Sequence, residues 1–132
     1  IQPDVVVNAA AYTAVDKAES EVDKAYLINE TVVSKLATFM AHKKGLLVHY
    51  STDYVYDGKK TYAYLESDEV APENVYGASK LAGERAIEGS GCEFLIFRTS
   101  WVFSAQGHNF IKTILRLAKE KDQLRVVADQ YG

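Results

Sequence analysis

The sequence has little that would indicate a disulfide scaffold, a metal centre, a membrane protein or a nucleic-acid-binding protein. Its 132 residues include one cysteine, Cys92, which excludes an intrachain disulfide and a cysteine cluster that could hold a metal. No apolar run approaches the roughly 20 residues that a membrane-spanning helix requires. The formal net charge of -3 gives no electrostatic reason to expect binding to nucleic acid or to a membrane surface. We therefore expect a cytoplasmic protein with no metal site, no nucleic-acid partner and no membrane partner.

Segments with the patterns of strands and helices alternate along the chain. Short apolar runs predict strands at residues 4–8, 46–51, 93–98 and 124–127, the first buried on both faces and extended by the alanines at 9–11. Apolar residues at three-to-four-residue spacing predict helices at residues 19–44, 75–88 and 109–121. The order βαβαβαβ predicts right-handed crossovers and a parallel, doubly wound sheet, an α/β fold of the Rossmann-like type.

Ligands of such sheets bind beyond the carboxyl ends of the strands. This rule indicates three candidate loops, at residues 9–13, 51–56 and 99–103. All three are rich in hydroxyl-bearing or aromatic residues, which is unusual for loops that follow buried strands. Gly45 is a natural end for the first predicted helix.

Tyr76 and Lys80 stand four residues apart in a predicted helix, so that their side chains share one face. A nearby ammonium group and the amino end of the helix both favour the phenolate, and we expect them to lower the pKa of Tyr76. Such a pair is suited to acid–base chemistry at a carbonyl group. Tyr56 and Lys60 have the same spacing, but the turn signal Asp57-Gly58 between them argues against a helix there. Helical context therefore favours Tyr76 and Lys80, although the spacing alone is a weak signal.

Five segments extend this pattern along essentially the whole chain. They are VNAAAYTAVDKAE at residues 7–19, STDYVYDG at 51–58, NVYGASK at 74–80, RTSWVF at 98–103 and NFIKT at 109–113. Together they resemble the extended short-chain dehydrogenase/reductase superfamily and, within it, the dTDP-4-dehydrorhamnose reductases. The VDKAE and RTSWV runs are more specific to the latter family than the superfamily's catalytic triad is.

The resemblance implies a catalytic group of Thr52, Tyr76 and Lys80. Tyr76 would donate a proton to the keto oxygen of the sugar, Lys80 would hold the nicotinamide ribose and tune Tyr76, and Thr52 would hydrogen-bond the reacting oxygen. The implied reaction is hydride transfer from NADPH or NADH to C4 of dTDP-4-dehydro-6-deoxy-L-mannose, which gives dTDP-L-rhamnose for cell-surface polysaccharides. The resemblance leaves open a Mg²⁺ ion in the full-length enzyme and a homodimer.

The remaining implied site residues fall into two sets. Asp53 and Trp101 would contact the deoxysugar, and the cofactor would be lined by Ala11, Tyr12 and Thr13. Each has a simpler alternative. Thr13 with Asp16 has the pattern of a helix capping box, Asp53 is a common turn residue, and a tryptophan after a buried strand is often a core residue.

Several polar residues outside these motifs are assigned structural or solvated roles. Arg98 is interpreted as structural, and Glu66 and Asp68 as solvated residues of a polar loop. The three histidines, His42, His49 and His108, have no spacing typical of a metal site, and we interpret them as solvated or packed. Tyr56 stands where the family commonly has phenylalanine, and we expect its hydroxyl to leave the chemistry undisturbed.

The Gly-rich turn with which the family binds the cofactor pyrophosphate has no counterpart here, since no Gly-x-x-Gly-x-x-Gly occurs in the sequence. We therefore expect residues 1–132 to form one partial NAD(P)-binding domain that carries the catalytic group but lacks the amino-terminal βα unit and the carboxyl-terminal part. Such a piece alone should bind NAD(P)H weakly and turn over little substrate, which calorimetry would test.

Two other functions remain open at this level. An epimerase or dehydratase of the same superfamily is one, although a dehydratase is expected to have acidic residues directly after the catalytic threonine, where this chain has Asp53 and then Tyr54. The other is a non-catalytic, reductase-like regulatory subunit of methionine adenosyltransferase. Binding of a large partner enzyme without reductase activity would favour the latter.

Overall fold

A computed structural model describes residues 2–126 of the chain, which divide into two compact units between Arg98 and Thr99. The strands are β1 (Val5–Asn8), β2 (Leu46–Thr52) and β3 (Glu93–Thr99). The first unit also contains the helices α1 (Val15–Ala18), α2 (Val22–Tyr26), α3 (Val32–Lys43) and α4 (Val75–Glu88). The second unit contains α5 (Phe110–Glu120).

The strands form one parallel sheet in the order β1-β2-β3, and β1 pairs with β2 with Val5 opposite Leu46 and Asn8 opposite His49. This arrangement confirms the predicted α/β, Rossmann-like fold. The predicted strands at 46–51 and 93–98 are confirmed, each with one additional residue. The first strand ends at Asn8, so the predicted extension into residues 9–11 is wrong; these residues form a loop instead.

The helices of the first unit pack on one face of the sheet. Met40 of α3 and Ile87 of α4 join Leu47 in the core, and Val6 packs against this cluster. Val5 and Val7 point the opposite way and are 51% and 59% exposed. The prediction that residues 4–8 are buried on both faces is therefore wrong for the described chain, because the helices of this unit cover only the face of the alternate residues.

The helix predicted for residues 19–44 is interrupted. It consists of α2, a π-helical turn at Leu27–Thr31 and α3, and α1 precedes it as a separate turn. Helix α3 ends at Lys43, and the following residue, Lys44, adopts a left-handed conformation with φ of 54°. Gly45 follows because a Cβ there would meet Met40 Cε and lie 2.8 Å from the carbonyl oxygen of Asp4.

Helix α4 has the bounds predicted from the sequence. Asn74 caps it by accepting a hydrogen bond from the backbone N–H of Gly77 at 2.7 Å. Between β2 and α4 the chain is irregular apart from a 3₁₀ turn at Asp53–Val55. Tyr56 and Lys60 lie beyond this turn without helical structure, as the Asp57-Gly58 signal predicts.

The second unit is built around α5, which confirms the predicted helix at 109–121 to within one residue at each end. Asn109 caps it by accepting a hydrogen bond from the backbone N–H of Lys112 at 3.0 Å. The fourth strand predicted at 124–127 is wrong for residues 124–126, which form no strand because no neighbouring strand pairs with them in the described chain. Val127 lies outside the described residues.

Candidate active site

The buried hydroxyl of Thr52 lies at the carboxyl end of β2. Its side chain caps the 3₁₀ turn by accepting a hydrogen bond from the backbone N–H of Tyr54 at 3.2 Å. The same hydroxyl donates to Oδ1 of Asp53 at 3.1 Å. These two bonds fix the Thr52 rotamer and hold Asp53 beside it. The turn therefore places both residues at the sheet edge where the fold predicts ligand binding.

Helix α4 brings Tyr76 to this hydroxyl. The phenol of Tyr76 lies close enough to the Thr52 side chain for that hydroxyl to influence its pKa. Its ring makes an edge-to-face contact with Tyr54, with centroids 5.7 Å apart. Gly77 permits the close approach, because a Cβ at this position would overlap the carbonyl oxygen of Tyr54. The structure thus brings Thr52, Asp53 and Tyr76 together at this edge of the sheet.

The pKa of Tyr76 lies above its ordinary value, chiefly because burial disfavours the phenolate, and the negative charge of Asp53 adds to this. The nearby hydroxyl of Thr52 acts in the opposite direction and lowers the pKa. The expectation that the pKa of Tyr76 is lowered is therefore wrong for the described chain. A phenol with a raised pKa stays protonated at neutral pH, which is the form that donates a proton.

Lys80 lies one helical turn beyond Tyr76, and its side chain is almost completely buried. Its Nζ donates a hydrogen bond to the carbonyl oxygen of Tyr50 at 2.6 Å and lies 3.2 Å from Nε2 of His49. Burial lowers the pKa of Lys80 to about 8, and the carboxylate of Glu84 partly opposes this shift. Lys80 is thus held under the end of β2 by groups of that strand.

The loop after β1 is attached to the same helix through Asn29 of the π-helical turn. The amide of Asn29 accepts a hydrogen bond from the backbone N–H of Tyr12 at 2.8 Å and donates one to the Tyr12 carbonyl oxygen at 3.1 Å. It also donates to the hydroxyl of Ser79 at 3.0 Å. In addition, Gly83 packs so closely on this turn that a Cβ would overlap the carbonyl oxygen of Asn29. The π-helical register therefore fixes the loop against α4.

The predicted cofactor residues occupy this loop. The Tyr12 side chain is buried in a small cluster that Tyr76 packs against, and its hydroxyl donates to Glu21 at 2.9 Å. Ala11 is half-buried and Thr13 is exposed. The capping alternative for Thr13 is wrong, because α1 begins after Ala14 without a side-chain cap.

Trp101 belongs to the second unit. It has a left-handed backbone with φ of 50°, is 52% exposed, and packs edge-to-face on Phe110 with centroids 5.6 Å apart. The alternative of a core residue is therefore wrong. Within this unit an open, apolar depression of about 260 Å³ is lined by Trp101, Val102, Phe103, Phe110 and Ile111.

A second polar cluster supports α4 from β3. Arg98 makes a bidentate contact with the buried carboxylate of Glu84, with Nη2 2.7 Å from Oε2 and Nε 3.1 Å from Oε1. Its Nη1 donates to the hydroxyl of Tyr56 at 2.7 Å, and that hydroxyl donates to the carbonyl oxygen of Leu65 at 3.1 Å. The structural interpretation of Arg98 is confirmed. Asp68 forms an ion pair with Lys60, so the interpretation of Asp68 as solvated is wrong.

Sequence reasoning missed the roles of four residues around the catalytic group, namely His49, Asn29, Gly77 and Glu84. The available signal is the presence of Gly77 and Gly83 inside a predicted helix, because a helix-interior glycine costs stability unless close packing requires it. Their close contacts are with Tyr54 and Asn29 respectively. The sequence predicts only a packed or solvated role for His49, because its contact with Lys80 joins residues 31 positions apart.

Within residues 2–126, no helix is long and apolar enough to cross a membrane. The same residues contain no group of three or more histidine, cysteine, aspartate or glutamate side chains that could hold a metal ion.

Comparisons with known proteins point to one family. Residues 1–132 match the family model described as the RmlD substrate binding domain. Similar proteins include the dTDP-4-dehydrorhamnose reductases of Burkholderia thailandensis, 56% identical over 131 residues, and of Escherichia coli strain K12, 54% identical over 132 residues. These matches cover 99% and 100% of this chain and, in both cases, 44% of the relative.

Solved structures agree with this grouping. The dTDP-4-dehydrorhamnose reductase of Bacillus anthracis in complex with NADP has a TM-score of 0.95 at 44% identity, covering 98% of this chain and 46% of that one. The chain thus spans a little under half the length of the relatives that it matches. Because the family model matches every residue and the fold agrees with solved relatives, the chain belongs to the RmlD substrate-binding-domain family.

Proposed function

We propose that the protein containing this chain reduces dTDP-4-dehydro-6-deoxy-L-mannose to dTDP-L-rhamnose with NAD(P)H, as a dTDP-4-dehydrorhamnose reductase. The observation that carries the proposal is the packing of the Tyr76 ring on Tyr54, in the turn that the buried Thr52 caps at the carboxyl end of β2. Lys80 lies one turn further along the same helix. The names of relatives at 56% and 54% identity support the substrate class.

Tyr76 acts as the general acid in this proposal. Its raised pKa keeps the phenol protonated, so that it can give its proton to the oxygen that becomes negative as the ketone is reduced. Thr52 donates its hydroxyl proton to Asp53 in the free site and can turn it towards the reacting oxygen. A fixed hydroxyl beside that oxygen stabilises the developing charge without first having to reorganise.

The donor set of the site fits a nicotinamide riboside. A buried lysine Nζ, a phenol and the backbone of the loop after β1 meet near the ends of β1 and β2, and Lys80 would hold the ribose hydroxyls. Ala11, Tyr12 and Thr13 would line the cofactor. The bound nicotinamide supplies the hydride. NADPH is favoured over NADH by the NADP in the structure of the Bacillus anthracis relative.

Asp53 and Trp101 are proposed to contact the deoxysugar. Asp53 is fixed by Thr52 and presents a second carboxylate oxygen for a sugar hydroxyl. Trp101 exposes half of its surface at an apolar depression, which suits the apolar face of a 6-deoxysugar.

Four further features remain proposals. We propose that residues 1–132 belong to one NAD(P)-binding domain and that the whole protein works in the cytoplasm. We also propose that the whole protein forms a homodimer and has no nucleic-acid partner. The net charge of -3 supports the absence of a nucleic-acid partner.

Product analysis with the full-length protein tests the function. The protein is incubated with NADPH and, in separate reactions, with dTDP-4-dehydro-6-deoxy-L-mannose and several other nucleotide sugars. Oxidation of NADPH with formation of dTDP-L-rhamnose from the first substrate alone is the expected result. Epimerised or dehydrated products without net oxidation of NADPH would instead identify another enzyme of the superfamily. Inactivity together with stable binding of methionine adenosyltransferase would identify a regulatory subunit.

A further inference from the structure

His49 links the catalytic helix to the first strand. Its ring is fully buried, with Nδ1 3.0 Å from Nδ2 of Asn8 and Nε2 3.2 Å from Nζ of Lys80. Both neighbouring atoms are nitrogens that carry protons. A neutral imidazole, however, has one N–H and one acceptor nitrogen, so only one of the two contacts can be a donation to the ring.

The orientation of the Asn8 amide decides which nitrogen accepts. Oδ1 of Asn8 accepts a hydrogen bond from the backbone N–H of Ala10 at 3.1 Å, which turns Nδ2 towards His49. Nδ1 of His49 therefore accepts, and the ring proton resides on Nε2. The ring is neutral at physiological pH because burial, the largest cause, lowers the pKa of His49 to about 4.

Lys80 then has to accept a hydrogen bond from Nε2–H of His49. Only a neutral amine has the lone pair for this, and the same amine can donate to the carbonyl oxygen of Tyr50. The charged groups around Lys80 are few. The carboxylate of Glu84 on α4 favours the charged form of Lys80, but it also forms an ion pair with Arg98 of β3. The carboxylate of Asp53 in the 3₁₀ turn raises the pKa of Tyr76.

We propose that His49 is a positioning residue for Lys80, and that the connected groups Lys80, His49, Asn8 and Ala10 couple the charge of Lys80 to the loop that follows β1. This deepens the proposed function, because Lys80 is the residue proposed to hold the ribose. Residues 11–13 of the same loop are proposed to line the cofactor.

When Lys80 takes up a proton from solvent, the hydrogen bond between Lys80 and His49 reverses its direction. The ammonium has three N–H groups and no lone pair, so Nε2 of His49 has to accept and the ring proton moves to Nδ1. The Asn8 amide has to turn its oxygen to that proton, and the backbone N–H of Ala10 loses its acceptor. Asn8 therefore holds the loop through Ala10 when Lys80 is neutral, and it loses this hydrogen bond when Lys80 is charged.

The first test follows both groups in the full-length protein by ¹⁵N NMR from pH 6 to 10, the range that spans the Lys80 pKa of about 8. We expect His49 to change from the Nδ1–H to the Nε2–H tautomer with the same midpoint at which Lys80 loses its proton. A His49 tautomer that stays constant through the titration of Lys80 would overturn the coupling.

The variant Asn8→Asp provides the second test. A carboxylate can accept from both Nδ1–H of His49 and the Ala10 N–H, so it should hold His49 as the Nδ1–H tautomer throughout and keep Lys80 charged. We expect the Lys80 midpoint to rise by about one pH unit or more. The control Gln123→Glu adds the same charge at an exposed residue and should leave both readouts unchanged. If Asn8→Asp keeps the Nε2–H tautomer, the new charge acts directly on Lys80 and the proposed connection through His49 is wrong.

These readouts do not depend on turnover. A full-length protein that reduces no nucleotide sugar would refute the proposed function while the NMR titration still decides on the coupling. If Asn8→Asp does not fold, the titration of the wild-type protein remains decisive.

Discussion

Gly77 lies against the backbone of Tyr54 so closely that a Cβ on the glycine would overlap the Tyr54 carbonyl oxygen. Both residues lie beside the catalytic candidates, since Tyr76 directly precedes Gly77 and Thr52 caps the turn that contains Tyr54. The distance between the phenol of Tyr76 and the hydroxyl of Thr52 therefore depends on this backbone contact.

Replacing Gly77 by alanine should separate the two catalytic hydroxyls. In an unconstrained helix this substitution stabilises by about 1 kcal/mol, but here the clash with backbone should destabilise the protein by about 1–3 kcal/mol. Urea unfolding gives the stability, and steady-state kinetics should show a fall in kcat. Ala86→Gly in the same helix serves as control; it should lower stability by about 1 kcal/mol and leave kcat unchanged. A Gly77→Ala protein with normal kcat would contradict the importance of this contact.

Helix α4 and strand β2 could be predicted almost to the residue because their signals are local. Asn74 at the cap and the apolar run of β2 each act on their own segment. The π-helical turn could not be predicted in the same way. Its register depends on Asn29 binding the backbone of Tyr12, a contact between residues 17 positions apart. The sequence predicts more burial for β1 than the structure has, because an apolar run does not reveal whether both faces of a strand are covered.

His49 should make the protein acid-sensitive. The pKa of His49 is about 4 in the folded protein, against an ordinary value of 6.5. Between pH 4 and pH 6.5 the unfolded chain therefore binds more protons than the folded protein. The stabilisation is complete above pH 6.5 and is lost as the pH falls towards 4, by roughly 3 kcal/mol in total.

Unfolding of the full-length protein and of His49→Gln, measured from pH 4 to 7, checks this contribution. The variant should lose less stability on acidification than the wild-type protein, whatever its stability at neutral pH. Parallel pH dependences of the two proteins would show that His49 does not titrate in this range.

The ion pair of Arg98 and Glu84 should contribute strongly to stability. Lysine cannot reproduce the bidentate contact or the bond to Tyr56, and a partly unpaired buried carboxylate is costly. We expect Arg98→Lys to lower the free energy of unfolding by about 3 kcal/mol. The exposed pair of Arg116 and Glu120 provides the matched control, since Arg116→Lys should change stability by less than about 0.5 kcal/mol. Equal effects at both positions would contradict the role of burial.

The catalytic candidates could be found from the sequence only in part. The spacing of Tyr76 and Lys80 is a local feature, and helical context separates it from that of Tyr56 and Lys60. The direction of the Tyr76 pKa was not accessible, because it depends on burial and on Asp53 of another element. The contact of Lys80 with His49 likewise arises only when α4 packs on β2.

The most direct test of the central claim is single-turnover reduction of dTDP-4-dehydro-6-deoxy-L-mannose by the full-length protein with bound NADPH, comparing wild type with Tyr76→Phe. Loss of the general acid should slow the reaction by about 10²–10⁴-fold with little change in substrate affinity. The control Tyr62→Phe, at an exposed tyrosine, should react at the wild-type rate. A Tyr76→Phe protein that reduces the sugar as fast as wild type would contradict the assignment of Tyr76 as the proton donor.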